Sequence, residues 1–112
     1  MSSVVAVGSA TNPAGGGQVA TTGTVGGGKY TVTVVTNPTG TIAAGDLNNM
    51  QLQVGATVIG KLLVVATAGS TTASPPVVVD VPQAGAAITV NAVGAASGAS
   101  AVYNAQIVAT VA

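Results

Sequence analysis

Histidine, cysteine, glutamate, arginine and tryptophan are all absent from this 112-residue chain. Their loss removes most general bases, thiol nucleophiles, soft metal ligands and oxyanion clamps at once. An enzyme is not expected, and no catalytic, cofactor-binding or metal-ligating residue is assigned. Charge is nearly absent too: 4% of the residues are charged, against about 25% in an ordinary soluble domain. The whole inventory is Lys29, Lys61, Asp46 and Asp80, for a formal net charge of +0. Two lysines and two tyrosines cannot both neutralise phosphates and stack on bases, so nucleic acid is excluded as a partner. The missing cysteines rule out disulfides and thiolate metal sites, and leave the compartment open.

Leaders and spans are not apparent either. Met1-Ser2-Ser3-Val4-Val5 has neither a basic region nor the apolar run of about 7–15 residues that a secretory signal needs. The most apolar stretch, Val58 to Ala66, is short and interrupted by Lys61, so no membrane span is expected. Ala84 to Tyr103 is uncharged but diluted by Asn91, Ser97, Ser100 and several glycines. Its Gly94-to-Gly98 spacing reads as a Gly-rich turn rather than a membrane dimer motif.

What is present is aliphatic. Hydrophobic residues make up 48% of the chain and aromatics 2%, so Val, Ile, Leu and Ala must fill a single core of ordinary domain size. Alternation of apolar and polar residues, the mark of a half-buried strand, recurs along the chain. Met50, Leu52 and Val54 oppose Asn49, Gln51 and Gln53, and Tyr30, Val32 and Val34 oppose Lys29, Thr31 and Thr33. Ala86, Ile88, Val90 and Ala92 oppose Thr89 and Asn91. The longest pattern sets Ala101, Tyr103, Ala105, Ile107, Ala109 and Val111 against Asn104, Gln106 and Thr110. Ala56 to Thr67 is apolar on both parities, which suggests a central strand or a bulge at Gly60 that switches faces. Weaker strands are expected over Ser3–Val7, Gln18–Val25 and Val77–Val81.

Between these segments stand turn signals: Asn12 to Gly17, Gly26-Gly27-Gly28, Asn37-Pro38-Thr39-Gly40, Ser74-Pro75-Pro76 and Pro82 to Gly85. Asn37-Pro38-Thr39-Gly40 matches a type I turn, with φ preset at Pro and Gly last. A helical turn is expected at most over Ala44–Met50, with Asp46 as its cap. The fold class is therefore all-β: a single β-sandwich or jelly-roll-like domain of about eight short antiparallel strands, with residues 29–112 as the sandwich domain. Residues 1–28 form a Gly-rich N-terminal arm or edge strands, and as an arm could lie across a neighbouring subunit and complete its sheet.

Four constellations require weighing. Asp46 and Asp80 could form a carboxylate pair, yet Asp46 reads as a turn or cap residue and Asp80 as the outward residue of a strand. Gly23 to Tyr30 has the spacing of a phosphate-binding loop. However, Tyr30 replaces the small hydroxyl residue, and a strand rather than a helix follows, so the match is a coincidence of glycine content. Lys29 or Lys61 could form an isopeptide bond to Asn91 or Asn104 with Asp80 as proton shuttle, against the plainer reading of solvated strand lysines. The pairs Thr22/Thr24 and Thr31/Thr33 are too few for a flat ice-binding array.

A surface with so little charge is either solvated by Thr, Ser, Asn and Gln or buried in an assembly, where charge would cost desolvation energy. Residues 44–112 bear on this choice: Gly45-Asp46-Leu47-Asn48-Asn49-Met50-Gln51-Leu52, a Gly55 turn, Lys61 to Val65, Pro75 to Asp80, and Ala101 to Thr110. In strand rhythm, without a diagnostic motif, this stretch resembles small β-sandwich virion proteins of tailed phages that decorate capsids or build fibres. The resemblance implies a non-enzymatic capsid decoration or cement protein, made in the host cytoplasm and carried on the virion. Its partners would be copies of itself, as a trimer or similar cluster, and a capsid or other virion protein. No nucleic acid, membrane or small-molecule substrate is implied. The alternatives are a cell-surface adhesion or carbohydrate-binding β-domain, for which only Tyr30 and Tyr103 could stack on sugar, and a subunit of a strand-exchanged extracellular filament.

Overall fold

The computed structural model describes residues 3–11, 17–37, 39, 50–61, 71–92 and 102–112, the side chains of Lys61 and Thr72 excepted. Nine strands run through them and no helix: β1 (Ser3–Thr11), β2 (Gln18–Val25), β3 (Gly28–Thr36), β4 (Met50–Val54), β5 (Thr57–Lys61), β6 (Thr72–Ala73), β7 (Val77–Val81), β8 (Ala86–Ala92) and β9 (Val102–Val111). They form two antiparallel sheets, one ordered β1-β9-β3 with both β6 and β7 on the far side of β3, the other ordered β2-β8-β4-β5.

The topology is that of one long hairpin rolled up. Its tip is the β4–β5 hairpin, turned by Gly55 and Ala56. Behind the tip β3 pairs with β6 and β7, β2 with β8, and β1 with β9. Rolling then places β9 against β3 and β8 against β4. With β6 and β7 counted as one interrupted strand, this is the eight-stranded jelly roll expected from the sequence. The interruption is chemical: Ser74, followed by two prolines, donates its N–H to the Val34 carbonyl at 2.8 Å, and its hydroxyl accepts the Val34 N–H at 3.0 Å. One residue thus stands in for a ladder pair that Pro75 and Pro76 cannot make.

Alternation fixes the core. Tyr30, Val32 and Val34 of β3 and Tyr103, Ala105, Ile107 and Ala109 of β9 are buried, as are Met50, Leu52 and Val54 of β4 and Ile88, Val90 and Ala92 of β8. Fully burying a side chain of Val or Leu size contributes about 1.5–3 kcal/mol, so these central strands carry most of the stabilisation. The two sheets meet most closely where β1 passes over β2. A Cβ on Gly8 would stand 2.3 Å from the Val19 carbonyl oxygen and 2.9 Å from the Ala20 Cα. Only glycine permits that approach.

Several expectations are corrected. The segment from Ala56 is not a central strand where it is described: among the described residues β5 pairs with β4 alone, at the edge of its sheet, and residues 62–67 lie outside the described residues. The alternative, a bulge, is what occurs, because Leu52 pairs with Gly60 and Gln53 with Val58, leaving Ile59 as the extra residue. Of the turn expected over Asn37-Pro38-Thr39-Gly40, Pro38 and Gly40 lie outside the described residues. Asn37 donates to the Asn104 carbonyl, and Thr39 exchanges two backbone hydrogen bonds with Val102, so both stay alongside β9 in the register of β3. Of the possible helical turn, residues 44–49 lie outside the described residues and Met50 opens β4. Val111, placed on the apolar face by alternation, is 39% exposed because it ends its strand. Of the two forms expected for residues 1–28, those described are edge strands of the chain's own sheets, β1 on β9 and β2 on β8.

Candidate functional site

The singled-out polar residues are dispersed. Asp80 lies opposite Lys29 in the β3–β7 ladder and accepts an ion pair from it at 3.2 Å, with the two side chains 77% and 67% exposed. Asp46 lies outside the described residues, so a carboxylate pair is not among the arrangements seen. Lys29 and Asn104 stand near opposite ends of the large sheet, since Lys29 lies beside Ala112 and Asn104 beside Asn37. The Asn104 amide instead donates to the Asn37 carbonyl at 2.7 Å, and the Asn91 amide to Gln53 Oε1 at 2.8 Å. Neither asparagine is brought to Lys29. Lys61 lies opposite Gln51 in the second sheet, with Asn91 on the other side of Gln51.

The glycine-rich stretch over 23–30 is the end of β2, a two-residue connection at Gly26-Gly27 and the start of β3. Gly23 sits in β2 at φ +70°, Gly28 opens β3, and the Tyr30 hydroxyl donates to the Gly26 carbonyl at 2.7 Å. A strand follows, as the sequence indicated, and no helix N-terminus is present to receive phosphate. The Thr22/Thr24 pair belongs to a bulge in β2. There the Thr22 hydroxyl accepts the Ile88 N–H at 3.1 Å and donates to the Gly23 carbonyl at 2.7 Å.

What the sandwich presents to solvent is two sparsely charged faces of different character. On the second sheet, Thr21 and Thr89 share a hydroxyl hydrogen bond at 3.1 Å, and Gln53 accepts from Asn91 while donating to the Gly55 carbonyl at 2.7 Å. This face carries an amide and hydroxyl network over β2, β8 and β4, while Val58 and Ile59 of β5 stand exposed at its edge. On the larger sheet the outward residues are mainly β-branched. Cross-strand rows run Val5–Val108–Thr33 and Val7–Gln106–Val35 over β1, β9 and β3, and Thr110–Thr31–Val78 over β9, β3 and β7. Val5 is 56% exposed, Val7 76% and Val78 59%. The Lys29–Asp80 pair stands at one end of this face. Beside Val7 lies a shallow depression of about 190 Å³, lined by Val35, Asn37, Thr71, Asn104 and Gln106 among others. Amides and hydroxyls can bind a partner there, but no acid or base lines it.

No family model and no curated protein matches the chain. Sequence reasoning identified Tyr103 as core and Asp80 as an outward residue, and did not single out the exposed valines of β1. Alternation put Val5 and Val7 in a strand without saying which face would be covered, because the sheet order decides that.

Proposed function

We propose that the chain is a non-enzymatic structural subunit that works by packing against copies of itself and a larger assembly. In its most specific form it is a capsid decoration or cement protein of a tailed-phage virion, made in the host cytoplasm. The carrying observation is the large outer face: β-branched side chains left open to water, with a single self-neutralised ion pair among its described residues. Exposed valine loses little and gains apolar contact when covered, whereas charges there would have to be desolvated. Identical subunits with +0 net charge also lack the repulsion that would oppose dense packing.

The mechanism is burial at seams: each copy bound only to the assembled shell raises the free energy needed to open it. The jelly roll itself does not select this role, since viral capsid and lectin domains both use it. A sugar-binding reading is weakened by the tyrosines, the only aromatics of the chain, because both are buried. Light scattering coupled to size-exclusion chromatography over a concentration series tests the proposal. Defined oligomers are expected, and a monomer that persists at the highest concentration would overturn it.

A further inference from the structure

The strand edges of the molecule are unequal. Natural sheets block edge-to-edge pairing with short strands, bulges, prolines or charges. β2 has two register shifts, and β5 has five residues, a register shift and Lys61. β6 has two residues, while β7 has five, contains Asp80 and lies between Pro76 and Pro82. β1 has none of these devices. It is nine residues long, keeps an unbroken register with β9, and contains no charge and no proline.

Hydrogen-bond parity shows what β1 offers. The backbone groups of Val102 bond to Thr39, the Asn104 carbonyl to Asn37 and the Ala112 N–H to Lys29. The even-numbered residues of β9 therefore turn toward β3. Alternation in an antiparallel ladder turns the odd-numbered ones toward β1, where Tyr103, Ala105, Ile107 and Ala109 face Ala10, Gly8, Ala6 and Val4. The backbone groups of Ser3, Val5, Val7, Ser9 and Thr11 consequently point away from the sheet, and no strand among the described residues pairs with them.

From this edge we infer that β1 is the self-association site: a second copy pairs with it antiparallel across a two-fold axis at Val7. This rests on the assembly reading above and names the partner and contact. The register sets Val7 opposite its own copy, Val5 opposite Ser9 and Ser3 opposite Thr11. Every facing pair then has its backbone groups directed at the partner. Five pairs exchanging two bonds each give about ten hydrogen bonds, close to the roughly ten of a typical specific interface. The axis is perpendicular to the sheet, so both second sheets fall on the same side and the large sheet becomes continuous through both copies. No like charges approach, because neither β1 nor β9 carries any. A two-fold contact makes dimers, so clusters built on it are even-numbered rather than trimers.

The register predicts which cysteines can meet in a chain that has none of its own. Facing hydrogen-bonded residues stand about 5.5 Å apart at Cα, inside the disulfide range of about 4.4–6.8 Å. An equimolar mixture of Val5→Cys and Ser9→Cys proteins under oxidised glutathione should form the mixed covalent dimer at least tenfold faster than either variant forms its own. Within one variant the thiols are displaced by about four residues, or about 13 Å. In parallel, Val7→Pro removes an outward N–H without breaking the β9 ladder, and light scattering should show its dimer weakened at least tenfold. Oligomers that persist in Val7→Pro, with no preference for the mixed disulfide, would overturn the β1 contact and leave the assembly reading standing. A wild-type monomer at every concentration would overturn both. Should Val7→Pro fail to fold, the cysteine mixture decides alone, since both its substitutions are at exposed positions.

Discussion

Gly8 sits where a side chain would meet backbone rather than a movable side chain, with the Val19 carbonyl oxygen 2.3 Å from the site of its Cβ. Gly8→Val should therefore separate the β1 and β2 edges and cost about 1–3 kcal/mol, the usual range for overpacking, read as a lower denaturation midpoint. Ile107, fully buried at the centre of β9, tests the aliphatic core. Ile107→Ala should cost about 2–5 kcal/mol, while Val78→Ala on the outer face should stay within about 0.5 kcal/mol. Equal effects of the two in urea titrations would contradict the placing of Ile107 inside and Val78 outside.

At the scale of elements, the strands with the clearest alternation were the most legible. β4, β8 and β9 appear within two residues of the expected bounds, β7 spans the expected Val77–Val81, and their apolar parities face inward. That follows because period-two patterning records burial directly. Pairing partners were not legible, since alternation is the same on an edge and in the middle of a sheet. Hence the stretch beginning at Ala56 could be read as a central strand or as a bulged one, and among the described residues β5 is a bulged edge strand, while β6 was too short to show a pattern. The role of Ser74 was hidden for a related reason: its two bonds to Val34 span 40 positions. Ser74→Ala leaves the buried Val34 N–H without its acceptor and should cost about 1–3 kcal/mol. An unchanged unfolding midpoint would show that the β6–β7 junction does not depend on that hydroxyl.

For the whole molecule, the scarcity of charge makes its behaviour with salt distinctive. Association driven by backbone pairing and valine burial should not weaken between low salt and about 1 M sodium chloride, where exposed ion pairs are screened. Ammonium sulfate should strengthen it. Loss of oligomer in sodium chloride would point to an electrostatic contact instead. Removing the exposed Lys29–Asp80 pair by Lys29→Met with Asp80→Asn should leave the thermal midpoint unmoved, as expected of a solvated surface pair. The candidate site was legible only as a composition: a sparsely charged surface follows from the residue counts, whereas the placing of the amide and hydroxyl network on one sheet and the long β-branched rows on the other depends on which strands share a sheet.

The position of β9 has a further consequence, in time rather than space. The strand that joins β1 to β3 is the last of the nine to be synthesised. Until residues 102–111 have been made, both earlier strands lack the neighbour they share. The large sheet thus cannot close progressively as the chain grows, and the edges of β1 and β3 that β9 covers stay open to other nascent chains until that strand arrives.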